Sequence, residues 1–116
     1  MKLQRLRGRK TAEKLRKHGR VWKSSTMVIR WLPGSPLNLE KPREGVFVGT
    51  AASTKLHKSA VKRNRMRRRC REALRTAIAE RTKMPTMQLF LLPRSRSLTC
   101  EYDAIRQDVH SFLSQF

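Results

Sequence analysis

The densest chemical signal in the chain is a run of cations. Between Lys62 and Arg75 stand eight Lys or Arg side chains and one acid, Glu72. Arg dominates, which suits bidentate contact with phosphate and stacking on bases. A solvated helix face is normally balanced by acids one turn away, and unrelieved like charges at that spacing destabilise a helix. The run therefore reads as a surface for a polyanion, with nucleic acid as the default partner.

The other reactive side chains do not form a centre. His18, His57, His110, Cys70 and Cys100 show no zinc-type spacing, so no protein-bound metal is expected. Cys70 falls on the apolar side of its helix and reads as a small core residue. The carboxylates are few. Three of them, Glu101, Asp103 and Asp108, lie near the C-terminal end, while Glu72 and Glu80 are expected to pair with neighbouring Arg. No Gly-rich phosphate loop of the strand–loop–helix kind is present. No catalytic residue is assigned to the chain, and any catalysis it serves is expected to use groups on another molecule.

The elements that must position these residues follow from periodicity. Thr11 to His18 predicts a short helix, with Thr11 as N-cap and Gly19 as its stop. Thr26–Leu32 predicts a strand, with a short one near Val21–Lys23 before it. Pro33–Pro36 forces a turn, and Leu37–Glu44 is a loop. Glu44–Ala51 predicts a further strand. From Ala60 to about Arg81 runs a long helix in which Met66, Cys70, Ala73, Leu74, Ala77 and Ile78 share one face. Asn64, Arg68, Arg71 and Arg75 take the opposite side, flanked by Arg65 and Arg69. Met87–Leu92 is almost continuously apolar and predicts a central strand covered on both faces. A last amphipathic helix carries Tyr102, Ile105, Val109, Phe112 and Leu113, with Thr99 as its cap. The predicted order is α-β-β-β-α-β-α. This is an α/β (α+β) fold with a mixed sheet of about four strands packed with three helices.

Composition bounds the rest. The 116 residues carry 28 Lys or Arg against 8 Asp or Glu, a formal charge of +20. That length suits a single domain spanning 1–116. Residues 1–20 hold nine cations and one acid, and residues 55–83 hold twelve and two. Two basic blocks inside a periodic chain suggest two parts of one binding surface. Residues 1–10 are expected to be a flexible basic segment. No apolar run approaches the ~18 residues of a membrane span, and Met1–Arg20 has no continuous apolar stretch of the secretory kind. Two cysteines form no disulfide framework and fit a reducing compartment, so the cytoplasm is the expected location.

One segment carries a family resemblance. Arg63-Asn64-Arg65-Met66-Arg67-Arg68, opening a long basic helix after a Ser53-Thr54-Lys55 loop, resembles the signature of the protein subunit of bacterial ribonuclease P. Arg5-Leu6 followed by Lys17-His18-Gly19 resembles that family's first helix and its end. The apolar strand ending in Pro93-Arg94, then Leu98-Thr99 and a final helix, resembles its C-terminal third. Ala12 and Arg16 stand where the family usually presents two Phe, and Arg30 where it often has an aromatic. Lys58 replaces a glycine of the loop before the helix.

The resemblance implies a protein that assists a catalytic RNA in removing the 5′ leader of precursor tRNA. Cleavage is expected on the RNA, with magnesium held mainly by the RNA. The implied partners are the ribonuclease P RNA and precursor tRNA, with no membrane and no obligate protein partner. Arg63, Asn64, Arg65, Arg67 and Arg68 are the implied docking residues, with Lys62, Arg71 and Arg75 extending the surface and Lys55, Lys58 and Ser59 at the helix entrance. Arg16, Arg30 and Trp31 are candidates for leader contact. The rival reading is a ribosomal or other structural RNA-binding protein. A protein-only nuclease is a weaker rival, because carboxylates are scarce.

Overall fold

A sheet of five strands, covered unequally on its two faces, organises the molecule. The computed structural model describes residues 1–116. In chain order the elements are β1 (Leu3–Arg5), α1 (Arg9–His18), β2 (Arg20–Lys23), β3 (Met27–Pro33), β4 (Val46–Thr50), α2 (Ala60–Ala79), β5 (Met87–Pro93), a 3-10 turn (Ser95–Leu98) and α3 (Tyr102–Leu113). The spatial order is β1-β4-β5-β3-β2. β5 runs parallel to β4 and antiparallel to β3. Its central place explains why Met87 to Leu91 are all buried.

Strand alternation sorts the two faces. Met27, Ile29, Trp31, Val46, Val48, Met87, Leu89 and Leu91 point to one side, where Leu74, Ile78, Ile105 and Phe112 of α2 and α3 close the core. The other side receives α1, which buries only Leu15 and Thr11. One short helix cannot cover a five-stranded face, so part of that face stays open.

The expected elements hold, with corrections at their ends. Residues 1–10 are not a flexible tail: β1 pairs in parallel with β4, Leu3 opposite Val46, and α1 begins at Arg9. This supplies the fifth strand. Three residues inside a basic run gave no readable alternation. Thr11 lies within α1 and is buried, and Gly8 precedes the helix in its place. Thr99 ends the 3-10 turn, and α3 starts after Glu101. Two polar contacts lock α3 to the sheet. The Thr26 hydroxyl donates to Asp108 Oδ2 at 2.6 Å, and the Thr26 amide donates to the same oxygen at 3.3 Å.

Candidate nucleic-acid interface

The basic run of α2 divides by burial and by partners. Its inner face, Met66, Cys70, Ala73, Leu74, Ala77 and Ile78, is buried as the spacing predicts. Burial pushes the Cys70 thiol up to about 11, so it stays protonated and unreactive. Lys62, Arg65, Arg68 and Arg71 are exposed. None of their side chains takes part in an ion pair. Arg75 grips Glu72 through two hydrogen bonds of 2.9 and 2.6 Å, and this contact lowers the Glu72 carboxyl below its ordinary range. Both groups lie in open solvent. Glu80, expected to pair with an Arg, forms no ion pair; it caps the end of α2 through its backbone.

Two guanidiniums of the run turn inward. Arg69 is half-buried and donates to the carbonyls of Ser97 and Cys100, each at 2.6 Å. It pins the 3-10 turn against α2. Arg63 donates to the carbonyls of His57 and Lys58 at 2.8 and 2.9 Å, which folds the entrance loop onto the helix. Arg67 donates to the side chain of Asn64. Ser59 caps α2: its Oγ accepts from the Lys62 amide at 3.3 Å, a contact worth about 1 kcal/mol. Lys58 is exposed beside it.

The open part of the second sheet face is a cleft. A hollow of about 580 Å³ lies between Arg16 of α1, the 51–56 loop with Lys55, and Phe90 and Leu92 of β5. A second hollow of about 400 Å³ adjoins it and shares Phe90; Ala12, Gly49, Arg5 and Arg71 also line it. Gly49 faces the Phe90 ring closely. A Cβ at that position would come within 3.1 Å of it. Phe90 is the aromatic of this cleft, and the sequence reading missed it. In β5, Gln88, Phe90 and Leu92 point away from the core, but a strand buried on both faces does not show this in its apolar pattern.

The three residues considered for the leader separate. Arg16 lines the cleft. Arg30 is directly opposite Phe90 in the sheet, but its Nη1 donates to the Arg16 carbonyl at 2.9 Å. A cation near the last turn of a helix is favourable, so Arg30 anchors α1 over the sheet. Trp31 is buried on the other face, edge-on to Phe112 and Phe116, and cannot reach the cleft. Strand alternation is the cause. No group of three His, Cys, Asp or Glu side chains is placed to hold a metal ion. No helix is long and apolar enough to cross a membrane.

Comparison with known proteins decides between the RNA-binding readings. The family model described as Ribonuclease P matches residues 1–116. The chain belongs to the ribonuclease P protein family. It is similar to the ribonuclease P protein component of Cyanothece sp., with 30% identity covering 96% of this chain and 90% of that one. It is 40% identical to that of Synechococcus elongatus over 60% of this chain and 55% of the relative. In fold it is similar to the RNase P protein from Thermotoga maritima, with a TM-score of 0.76 at 17% identity, covering 97% of each chain. The Staphylococcus aureus RNase P protein gives 0.71 at 16% identity, covering 96% of this chain and 93% of that one. The chain is thus a protein component of ribonuclease P, an endoribonuclease holoenzyme of tRNA 5′ processing, and associates with ribonuclease P RNA.

Proposed function

We propose that α2 docks this ribonuclease P protein on the catalytic RNA and that the cleft beneath α1 holds the 5′ leader of precursor tRNA. The observation that carries the first half is the row of unpaired cations Lys62, Arg65, Arg68 and Arg71 on the exposed side of α2. They repel one another until a polyanion screens them. Asn64, Arg67 and Arg75 lie along the same helix and add contacts. Arg63 and Ser59 act by shaping the entrance loop, which presents Lys55 and Lys58.

For the leader, Arg16 and Lys55 supply phosphate contacts at the rims, and Phe90 and Leu92 supply an apolar floor. Such a platform tolerates many sequences, because every base has a stacking face. Hydrolysis is assigned to the RNA. Magnesium is assigned there too, because it is commonly held by phosphate oxygens and water with few protein ligands. The cytoplasm is the proposed location.

The test adds this protein to a bacterial ribonuclease P RNA at low magnesium and measures 5′ leader removal. The native protein is expected to stimulate cleavage. Arg65→Ala with Arg68→Ala is expected to weaken assembly while leaving the melting temperature unchanged, and to flatten its salt dependence by a slope of roughly 0.7 to 0.9 per lost contact. Unchanged affinity and slope would remove α2 from the interface.

A further inference from the structure

A third hollow continues the line of the cleft. It shares Arg5 with the second hollow and lies between β1 and the loop joining β3 to β4. Its volume is about 550 Å³, and Gln4, Arg5, Arg7, Asn38, Arg43 and Phe47 are among its lining residues. Three arginines therefore line one space, with no carboxylate among the residues that line it. The ion pairs of the chain lie elsewhere, at Arg9–Glu13, Arg75–Glu72 and Arg106–Asp103. Arg5, Arg7 and Arg43 are exposed and carry no protein partner on their side chains.

The walls are fixed. Asn38 Nδ2 donates to the Arg7 carbonyl at 2.8 Å, and Gln4 Nε2 donates to the Glu44 carbonyl at 2.9 Å. The Arg43 amide donates to Ser35 Oγ at 3.3 Å. Each wall amide packs against a glycine with positive φ, Gly8 at 97° and Gly45 at 135°. A Cβ would lie 2.8 Å from Asn38 Nδ2 at Gly8 and 2.3 Å from Gln4 Nε2 at Gly45. Only glycine gives that backbone at no steric cost. The one aromatic, Phe47, is 1% exposed and offers no stacking face. Forked cationic donors without an exposed ring fit a phosphate and not a base.

We propose that this pocket is a second anion site, holding backbone phosphates of the leader where the strand runs on past the cleft. The inference rests on the reading that the leader lies in the cleft. Continuity supports this source: the three hollows are joined through Phe90 and then Arg5. Lys55, at the first hollow, belongs to the loop that enters the docking helix. The pocket at the β1 edge is the end of the three hollows away from that loop.

The experiment uses the assembled holoenzyme with Arg7→Ala plus Arg43→Ala. Neither residue lines the first two hollows, and both are exposed, so the melting temperature should hold. Affinity is measured at several salt concentrations for mature tRNA and for precursors with leaders of about 4 and about 16 nucleotides, a range typical of single-strand sites on small folds. The native protein is expected to bind the long leader more tightly than the short one. The variant should lose that gain, roughly tenfold or about 1.4 kcal/mol, with a salt slope lower by about 0.7 per missing contact. Short-leader binding should not change.

Lys41→Ala removes a charge from the same loop without touching the pocket and should behave as native. If it loses the gain as the pocket variant does, net charge is the cause and the proposal fails. A variant that keeps the full gain also overturns it. Equal weakening for mature tRNA and every precursor would place the pocket on the catalytic RNA and overturn the leader assignment. Failure of the underlying reading looks different: a native holoenzyme that does not tell the short-leader precursor from mature tRNA removes the cleft, and the pocket with it.

Discussion

The ridge of α2 and the cleft under α1 are both basic, but they are built in opposite ways. The ridge comes from one continuous segment, so helical periodicity alone sets which side chains share it. The cleft draws Arg16 from α1, Lys55 from a loop, Phe90 from β5 and Arg71 from α2. Its composition exists only after the sheet has formed. The ridge should therefore tolerate single substitutions, each costing one contact. The cleft depends on contacts that hold its parts in place, such as the bond from Arg30 to the Arg16 carbonyl.

The largest expected effect breaks the helix that both regions share. Leu74 is fully buried between α2 and the sheet. Leu74→Asp puts an unpaired charge there and should unfold the domain. Arg71→Asp, three residues earlier and exposed, should leave circular dichroism and melting close to native while weakening RNA binding. Equal melting of the two variants would contradict the assigned phase of α2.

A smaller effect separates Arg side chains within the ridge itself. Arg69→Ala leaves the Ser97 and Cys100 carbonyls without their charged donor. A loss of about 1–3 kcal/mol follows from such a deletion at a half-buried site. Arg68→Ala should cost almost no stability and act on RNA affinity. Thermal melting with an RNA titration reads both. A neutral Arg69→Ala would mean that the 3-10 turn is held by its own packing.

The same contrast explains what was legible beforehand. The buried and exposed faces of α2, and the central place of β5, could be read because long apolar periodicities survive any tertiary arrangement. The inward turn of Arg63 and Arg69 could not, because their acceptors lie on other segments and outside any local pattern. Trp31 was considered for the cleft because it neighbours Arg30, yet a period of two sends adjacent residues to opposite faces. Phe90 was hidden by the opposite effect. In a strand buried on both sides, an apolar run does not say which side chains face the core. β1 was missed because three residues within a basic block carry too little pattern, and its pairing with β4 is parallel and distant in sequence.

The smallest expected effect tests how the cleft divides its grip between charge and stacking. Phe90 is only 9% exposed, so its ring offers little stacking area. Ala12 adds none. Arg16 and Lys55 should then carry most of the preference for precursor over mature tRNA. Phosphate contacts fade with salt, whereas stacking on an aromatic is worth about 1–3 kcal/mol per base and varies little with it. The ratio of precursor to mature tRNA affinity should fall steeply as monovalent salt rises at fixed magnesium. Arg16→Phe should flatten that fall, by a slope of about 0.7 for one phosphate contact, while adding a ring at the cleft wall. The backbone carbonyl that accepts from Arg30 is untouched by this change, so α1 keeps its anchor. A ratio that is already flat in the native protein would assign the grip to Phe90 and the apolar floor, and the cleft would then differ from the ridge in its chemistry as well as in its construction.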